Sequence, residues 1–245
     1  MASTSKSKTP ESVSFREITG LEMVDLYVGP EKAQFRVHKS VLCAKIPYFE
    51  KMFQSGGFIE ASDNSATFPE DSVQAFDVLI EWVYTGALRP MISDDKKKKK
   101  NLLWNPLEFY ILLDKMCLAE LMDITLDLYR EKQRSANLLS SVATVATAYR
   151  RLPAGSGFCR FVLQSLLYAM TFKGEAQRNM WSTSVILCTV QANAELCQDL
   201  FELMRNHLGI KVADPRVGDN CVYHCHKAGE ECPLKEKKGN AKAKV

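Results

Sequence analysis

Three of the chain's 8 cysteines and two of its 4 histidines crowd into the last 25 residues. Cys221, His224, His226 and Cys232 follow the spacing C-x2-H-x-H-x5-C, with Cys225 as a spare thiol. Thiolate and imidazole are preferred zinc ligands, and four of them can close a tetrahedral site. A short polar segment has almost no core, so a bound metal would supply its folding energy. Against this, the spacing is not that of a common zinc finger. His-x-His also sends its two rings to opposite sides of an extended segment. Spacing alone therefore leaves two readings open, a zinc site or a flexible tail with loose thiols.

Other residues invite chemistry less. Asp25 and His38 each sit beside apolar neighbours, and polar groups buried there need partners. A carboxylate accepting from an imidazole N–H would satisfy both, so they are expected to pair as structural residues. No nucleophile or oxyanion donor accompanies them, and the expectation is a protein that is not an enzyme. Gly155-Ser156-Gly157 reads as a turn. Phosphate-loop, dinucleotide, nucleophile-elbow and metalloprotease patterns are absent from the sequence. Lys96, Lys97, Lys98, Lys99 and Lys100 form a pure basic run. It reads as a solvated insertion first and as a nuclear-import or acidic-partner element second.

Composition sets the frame. The 245 residues are 46% hydrophobic and 25% charged, as in a globular protein with a sizeable core. A net charge of +3 is too small to make nucleic acid the main partner. The opening residues lack the apolar run of a secretory signal, and no stretch is long and apolar enough to span a bilayer. A cytoplasmic or nuclear location with reduced thiols is expected. Cys43, Cys117, Cys159, Cys188 and Cys197 lie in helical patterns, where Cys acts as a small hydrophobe.

The elements that would position these residues follow in order. Residues 24–28 and 35–37 alternate like strands around a turn at Gly29-Pro30, giving a hairpin. A helix opens at His38. A second follows Pro47, which suits a first helical turn, and buries Tyr48, Phe49, Met52 and Phe53 on one face. Residues 65–68 add a strand. Phe76, Leu79, Ile80, Val83 and Tyr84 then make the most regular helical face, with Ser72 as N-cap and Gly86 as C-cap. Residues 87–106 form a loop. Helical faces return with Phe109, Leu112, Leu113, Met116 and Cys117, then Leu121, Ile124 and Leu128. Beyond them come Leu138, Val142, Val145 and Tyr149. An almost wholly apolar run at 158–172 follows, and Leu196, Leu200, Leu203, Met204, His207 and Leu208 form the last face.

Four landmarks, in order, resemble the BTB/POZ domain family: Asp25-Leu26 before a turn; Phe-x-Val-His-Lys-x-Val-Leu at 35–42; Tyr48-Phe49 with Met52-Phe53; and Tyr84-Thr85-Gly86 closing a helix. One BTB domain with a helical extension and a Cys/His tail is similar to the small BTB domain-containing proteins of filamentous fungi. The resemblance implies an α+β fold, a small sheet flanked by helices, followed here by an all-helical extension. It makes Asp25, His38, Phe49, Tyr84 and Gly86 structural core residues. The family usually has Ser where this chain has Ile46, so a capping hydroxyl is lost and a displaced helix start is expected.

The expected organisation is a disordered tail at 1–18, the BTB/POZ domain at 19–134, a helical extension at 135–211 and a basic Cys/His tail at 212–245. The implied function is a protein-protein interaction adaptor that self-associates, as a homodimer, or binds a scaffold. In family members that recruit the cullin scaffold of ubiquitin ligases, a hydrophobic-x-Glu element follows the turn that here is Gly56-Gly57. Phe58, Ile59 and Glu60 match it as partner-binding residues. The alternative is a nuclear, transcription-associated BTB factor with a zinc-stapled tail.

Overall fold

Alternation along β1 (Met23–Val28) turns Val24, Leu26 and Val28 to one side, and all three are fully buried. The computed structural model describes residues 14–54, 59–91, 103–227 and 229–234. Lys96 to Lys100, Phe58 and most of the two terminal segments lie outside the described residues. By contact the chain divides into two compact units, 1–73 with 79–88, and 74–78 with 89–245.

The first unit is a three-stranded sheet in the order β2-β1-β3, with helices packed on it. β2 (Ala33–His38) runs antiparallel to β1, with Met23 opposite His38 and Val28 opposite Ala33. β3 (Ser65–Phe68) lies parallel to β1 on the other side, with Asp25 opposite Ser65. The parallel pairing requires a crossover, which α2 (Lys39–Lys45), α3 (Pro47–Phe53) and α4 (Ile59–Asp63) supply. Phe49 is fully buried; its ring stacks on Phe53 and meets Phe68 edge-on at 5.9 Å. Aromatic pairs of this kind add about 0.5–1.5 kcal/mol beyond the area they bury.

Two details differ from expectation. Ile46 stands at the N-cap of α3 with no side-chain hydrogen bond, yet the helix still starts at Pro47. Proline's fixed φ presets the first turn, and the Ile46 side chain is fully buried, so burial replaces the hydroxyl cap. Within the stretch read as a disordered tail, Phe15–Thr19 forms a short helix, α1. Ser14 and Glu17 close a reciprocal capping box: the Glu17 N–H donates to Ser14 Oγ and the Ser14 N–H to Glu17 Oε2.

α5 (Val73–Thr85) contributes residues to both units and ends at Gly86, whose φ of 70° lies in the region only glycine adopts freely. The second unit is helical: α6 (Pro106–Lys115), α7 (Ala119–Ser135), α8 (Val142–Arg151), α9 (Gly157–Met170), α10 (Glu175–Met180), α11 (Thr183–Gln191) and α12 (Ala194–Asn206). Asn105 caps α6 by accepting from the N–H groups of Leu107 and Glu108, and Pro106 takes its first position. α9, the expected all-round apolar helix, buries Phe158, Cys159, Phe161, Val162 and Leu166. Of the five cysteines expected to behave as small hydrophobes, Cys159 alone is fully buried. Cys117 lies in a turn, and Cys188 is exposed. Leu138 also departs from the expected helical face: α8 begins at Val142, capped by Ser141, and Leu138 is half exposed.

The fold is therefore α+β, a small sheet with flanking helices followed by a helical region. No helix among the described residues is long and apolar enough to cross a membrane.

Candidate metal centre

The segment after α12 is not a loose tail. Residues 220–223 form a 3-10 turn that packs on α7 and α9, with Tyr223 and His224 almost fully buried. Two arginines hold it there. Arg130 on α7 is 2% exposed and donates twice to the Pro215 carbonyl, at 2.8 and 3.2 Å, and once to Asn220 Oδ1. Its guanidinium carbon lies 4.6 Å from the centre of the Tyr223 ring. A buried arginine needs such acceptors and a π face, because the charge cannot be shed. From α9, Arg160 donates to the carbonyls of Val222 and His224.

Gly157, read from sequence as part of a turn, is the first residue of α9. A Cβ there would collide with the Tyr223 carbonyl oxygen. Only glycine lets the 3-10 turn approach this closely.

Docked in this way, the segment brings together all four residues picked out by spacing. One ligand atom from each of Cys221, His224, His226 and Cys232 lies within 4.8 Å of the others. A zinc tetrahedron with Zn–S near 2.3 Å and Zn–N near 2.0 Å has edges of roughly 3.3–3.8 Å. Cys232 Sγ already lies 3.4 Å from His224 Nδ1. The histidine rings converge, with centroids 5.6 Å apart, because the chain bends between them. That bend answers the His-x-His objection, which assumed an extended segment.

The donor chemistry fits a cation. Buried nitrogen Nε2 of His226 has no hydrogen-bond partner, while its Nδ1 lies 3.1 Å from the Lys227 carbonyl. A carbonyl only accepts, so Nδ1 carries the proton and Nε2 keeps its lone pair. Burial, first of all, pushes the Cys221 thiol up, and hydrogen bonding to Cys232 and Asp219 raises it further. Burial disfavours a charged His224, but Asp127, Cys232 and Asp123 outweigh it and raise its pKa. Cys221, His224, His226 and Cys232 form a cluster able to hold a metal ion. A cavity of about 620 Å³, lined by Cys221, His224 and His226 among others, offers an ion a route in.

Sequence reading did not find Asp123 and Asp127 of α7. Asp127 Oδ1 lies 3.1 Å from His224 Nε2, and Asp123 Oδ1 accepts the Cys225 N–H at 2.8 Å. Their signal was an i, i+4 pair of carboxylates on α7, with Asp123 only 4% exposed. Cys225 contributes its backbone here and is not one of the four clustered ligands.

The structure does not join the residues singled out in the first unit into one site. Asp25 and His38 do not pair. Asp25 takes both forks of Arg36 at 2.8 Å and the Gln34 amide at 2.9 Å. These donors hold its carboxyl below the usual range, Arg36 foremost. Cross-strand register explains the choice, because Arg36 is directly opposite Asp25. His38, at the far end of β2, instead places its backbone N–H and Nδ1 at 3.0 and 2.8 Å from the Tyr84 hydroxyl. Tyr84 itself is 41% exposed and Gly86 is exposed, whereas Phe49 is buried. Ile59 and Glu60 open α4, and Ile59 is 73% exposed.

Residues 16–111 match the family model of the BTB/POZ domain. Two curated Homo sapiens proteins, Kelch repeat and BTB domain-containing protein 7 and protein 6, are each 36% identical over 67 residues. In both cases the match covers 27% of this chain and 10% of the relative's length. The first part of the chain, residues 16–111, is a BTB/POZ domain, a protein-interaction module.

Proposed function

We propose that this chain is a protein-interaction adaptor. In this reading the BTB/POZ domain engages a scaffold protein or a second copy of itself. The helical unit, stapled by one zinc ion on Cys221, His224, His226 and Cys232, presents a client. The BTB/POZ match over residues 16–111 carries the adaptor reading, since that module binds proteins. Two thiolates and two imidazoles favour zinc over harder cations, and four protein ligands make the ion a structural one.

The cullin scaffold of ubiquitin ligases is the scaffold partner best supported. Ile59 leaves most of an aliphatic side chain in water beside Glu60, and exposed apolar anchors of this kind often dominate an interface. The test is affinity purification of the tagged full chain, with a pull-down of a cullin N-terminal region. Phe58→Ala with Ile59→Ala and Glu60→Ala should cut capture at least tenfold without changing the melting temperature. Unchanged capture would remove the cullin partner, and recovery of no protein partner, self included, would remove the adaptor reading. Light scattering decides whether the partner is a second copy. Metal analysis should find close to one zinc per chain.

The metal cluster also supports a second reading, a nuclear factor whose stapled tail meets nucleic acid. Steeply salt-dependent DNA binding would favour it, whereas salt-tolerant protein binding favours the adaptor.

A further inference from the structure

Resting on the zinc reading, we infer that Asp127 is a positioning residue that makes His224 bind the metal through Nδ1, so that the centre joins Nδ1 of His224 to Nε2 of His226. Asp127 Oδ1 lies 3.1 Å from His224 Nε2, and an ionised carboxylate can only accept, so the proton sits on Nε2. The lone pair is then on Nδ1, the nitrogen 3.4 Å from Cys232 Sγ. His226 is set the opposite way by the Lys227 carbonyl, which takes Nδ1–H and leaves buried Nε2 free. Two histidines separated by one residue thus reach one point because they offer different nitrogens.

Asp127 does more than orient a ring. It belongs to α7 (Ala119–Ser135), one helical turn after Asp123, which accepts the Cys225 N–H. The two carboxylates grip the His-Cys-His triplet at two points and tie the metal to a rigid helix rather than to the segment that supplies its ligands. Partners outside the ligand set that fix a ring and raise its basicity typically change metal affinity 10- to 100-fold.

The test uses the full chain loaded with zinc and labelled with 15N. Long-range 1H–15N spectra should show His224 protonated on Nε2 and metal-bound at Nδ1, and His226 the reverse. Asp127→Ala should weaken zinc binding about 10- to 100-fold in chelator competition. Asp127→Asn, which keeps an acceptor oxygen, should fall between Asp127→Ala and wild type. Glu131→Gln, an exposed change on the same helix, should bind as wild type does. If wild type carries no zinc, the metal reading and this inference fall together. If it carries zinc but His224 is bound through Nε2, or if Asp127→Ala holds zinc as tightly as wild type, this inference alone falls.

Discussion

The two units bury different things. Among the described residues, the first unit hides one polar side chain below a tenth exposure, Thr19, and otherwise seals aliphatic and aromatic groups. The second hides Asp123, Thr125, Arg130, Gln133, Ser140, Ser165 and His224. An apolar interior tolerates small errors in partner geometry, because its stabilisation is non-directional and scales with area. A polar interior does not, because each donor or acceptor left unmatched costs about 1–3 kcal/mol. The first unit is thus held by shape, and the second by an apolar core plus a polar network that a bound metal would complete. The comparison also separates roles: in the first unit the candidate contact, Ile59, is on the surface, while the chemistry of the second is turned inward.

The sharpest way to break this comparison is Cys232→Ser. Losing a structural metal belongs to the class of changes that exceed about 4 kcal/mol. On the zinc reading, melting of the second unit should fall by about 10 °C or more, with the metal lost from the protein. The first unit's own transition should not move; a joint collapse would show that the units are not independent. Phe49→Ala is the mirror experiment. Emptying that aromatic site should cost about 3–5 kcal/mol in the first unit, and zinc content measured on the folded second unit should be unchanged.

Gly157→Ala is a smaller perturbation with a defined direction. Its Cβ would push on the Tyr223 carbonyl, so overpacking should cost about 1–3 kcal/mol and weaken metal retention. Gly155→Ala, two residues earlier, meets nothing within 4 Å and serves as its control. Equal effects of the two would mean that the close approach at Gly157 is not what docks the segment.

The smallest effect is expected at the Asp25–Arg36 pair. Asp25 has a folded pKa below its unfolded value of about 3.9, so the pair's contribution is complete above that pH. It is lost as pH falls through the folded pKa. Asp25→Asn should therefore melt slightly lower than wild type at pH 7, and the gap should close on acidification below about pH 4. Arg36 is 63% exposed, so solvent keeps the effect small. A gap that persists at low pH would point to packing instead of charge.

Legibility followed the same division. Strand alternation at residues 24–28 and the helical face of α5 are local periodicities, and each reads directly as an element with a buried side. The short helices α1, α4 and α10 carry too few turns for a period to show. At the Cys/His cluster, spacing was enough to nominate Cys221, His224, His226 and Cys232. It was not enough to show that they meet, because that depends on a bend at 224–226 and on docking against α7 and α9. Asp25 and His38 fell the other way: both were noticed, but strand register gave each a different partner.

By itself, the order of residues determined the family of residues 16–111, the apolar faces of most helices and the choice of the four Cys and His residues that cluster. These depend on side-chain type and on spacing within a few turns. Tertiary structure alone decided that Arg130 reaches Pro215 and Asn220 from 85 and 90 positions away, that Asp127 reaches His224 across 97, and that Gly157 must be bare beneath Tyr223. Hydrogen bonds and close approaches are set by distances of a few tenths of an ångström between segments remote in the chain. No local pattern encodes such distances; they exist only once the helices have packed.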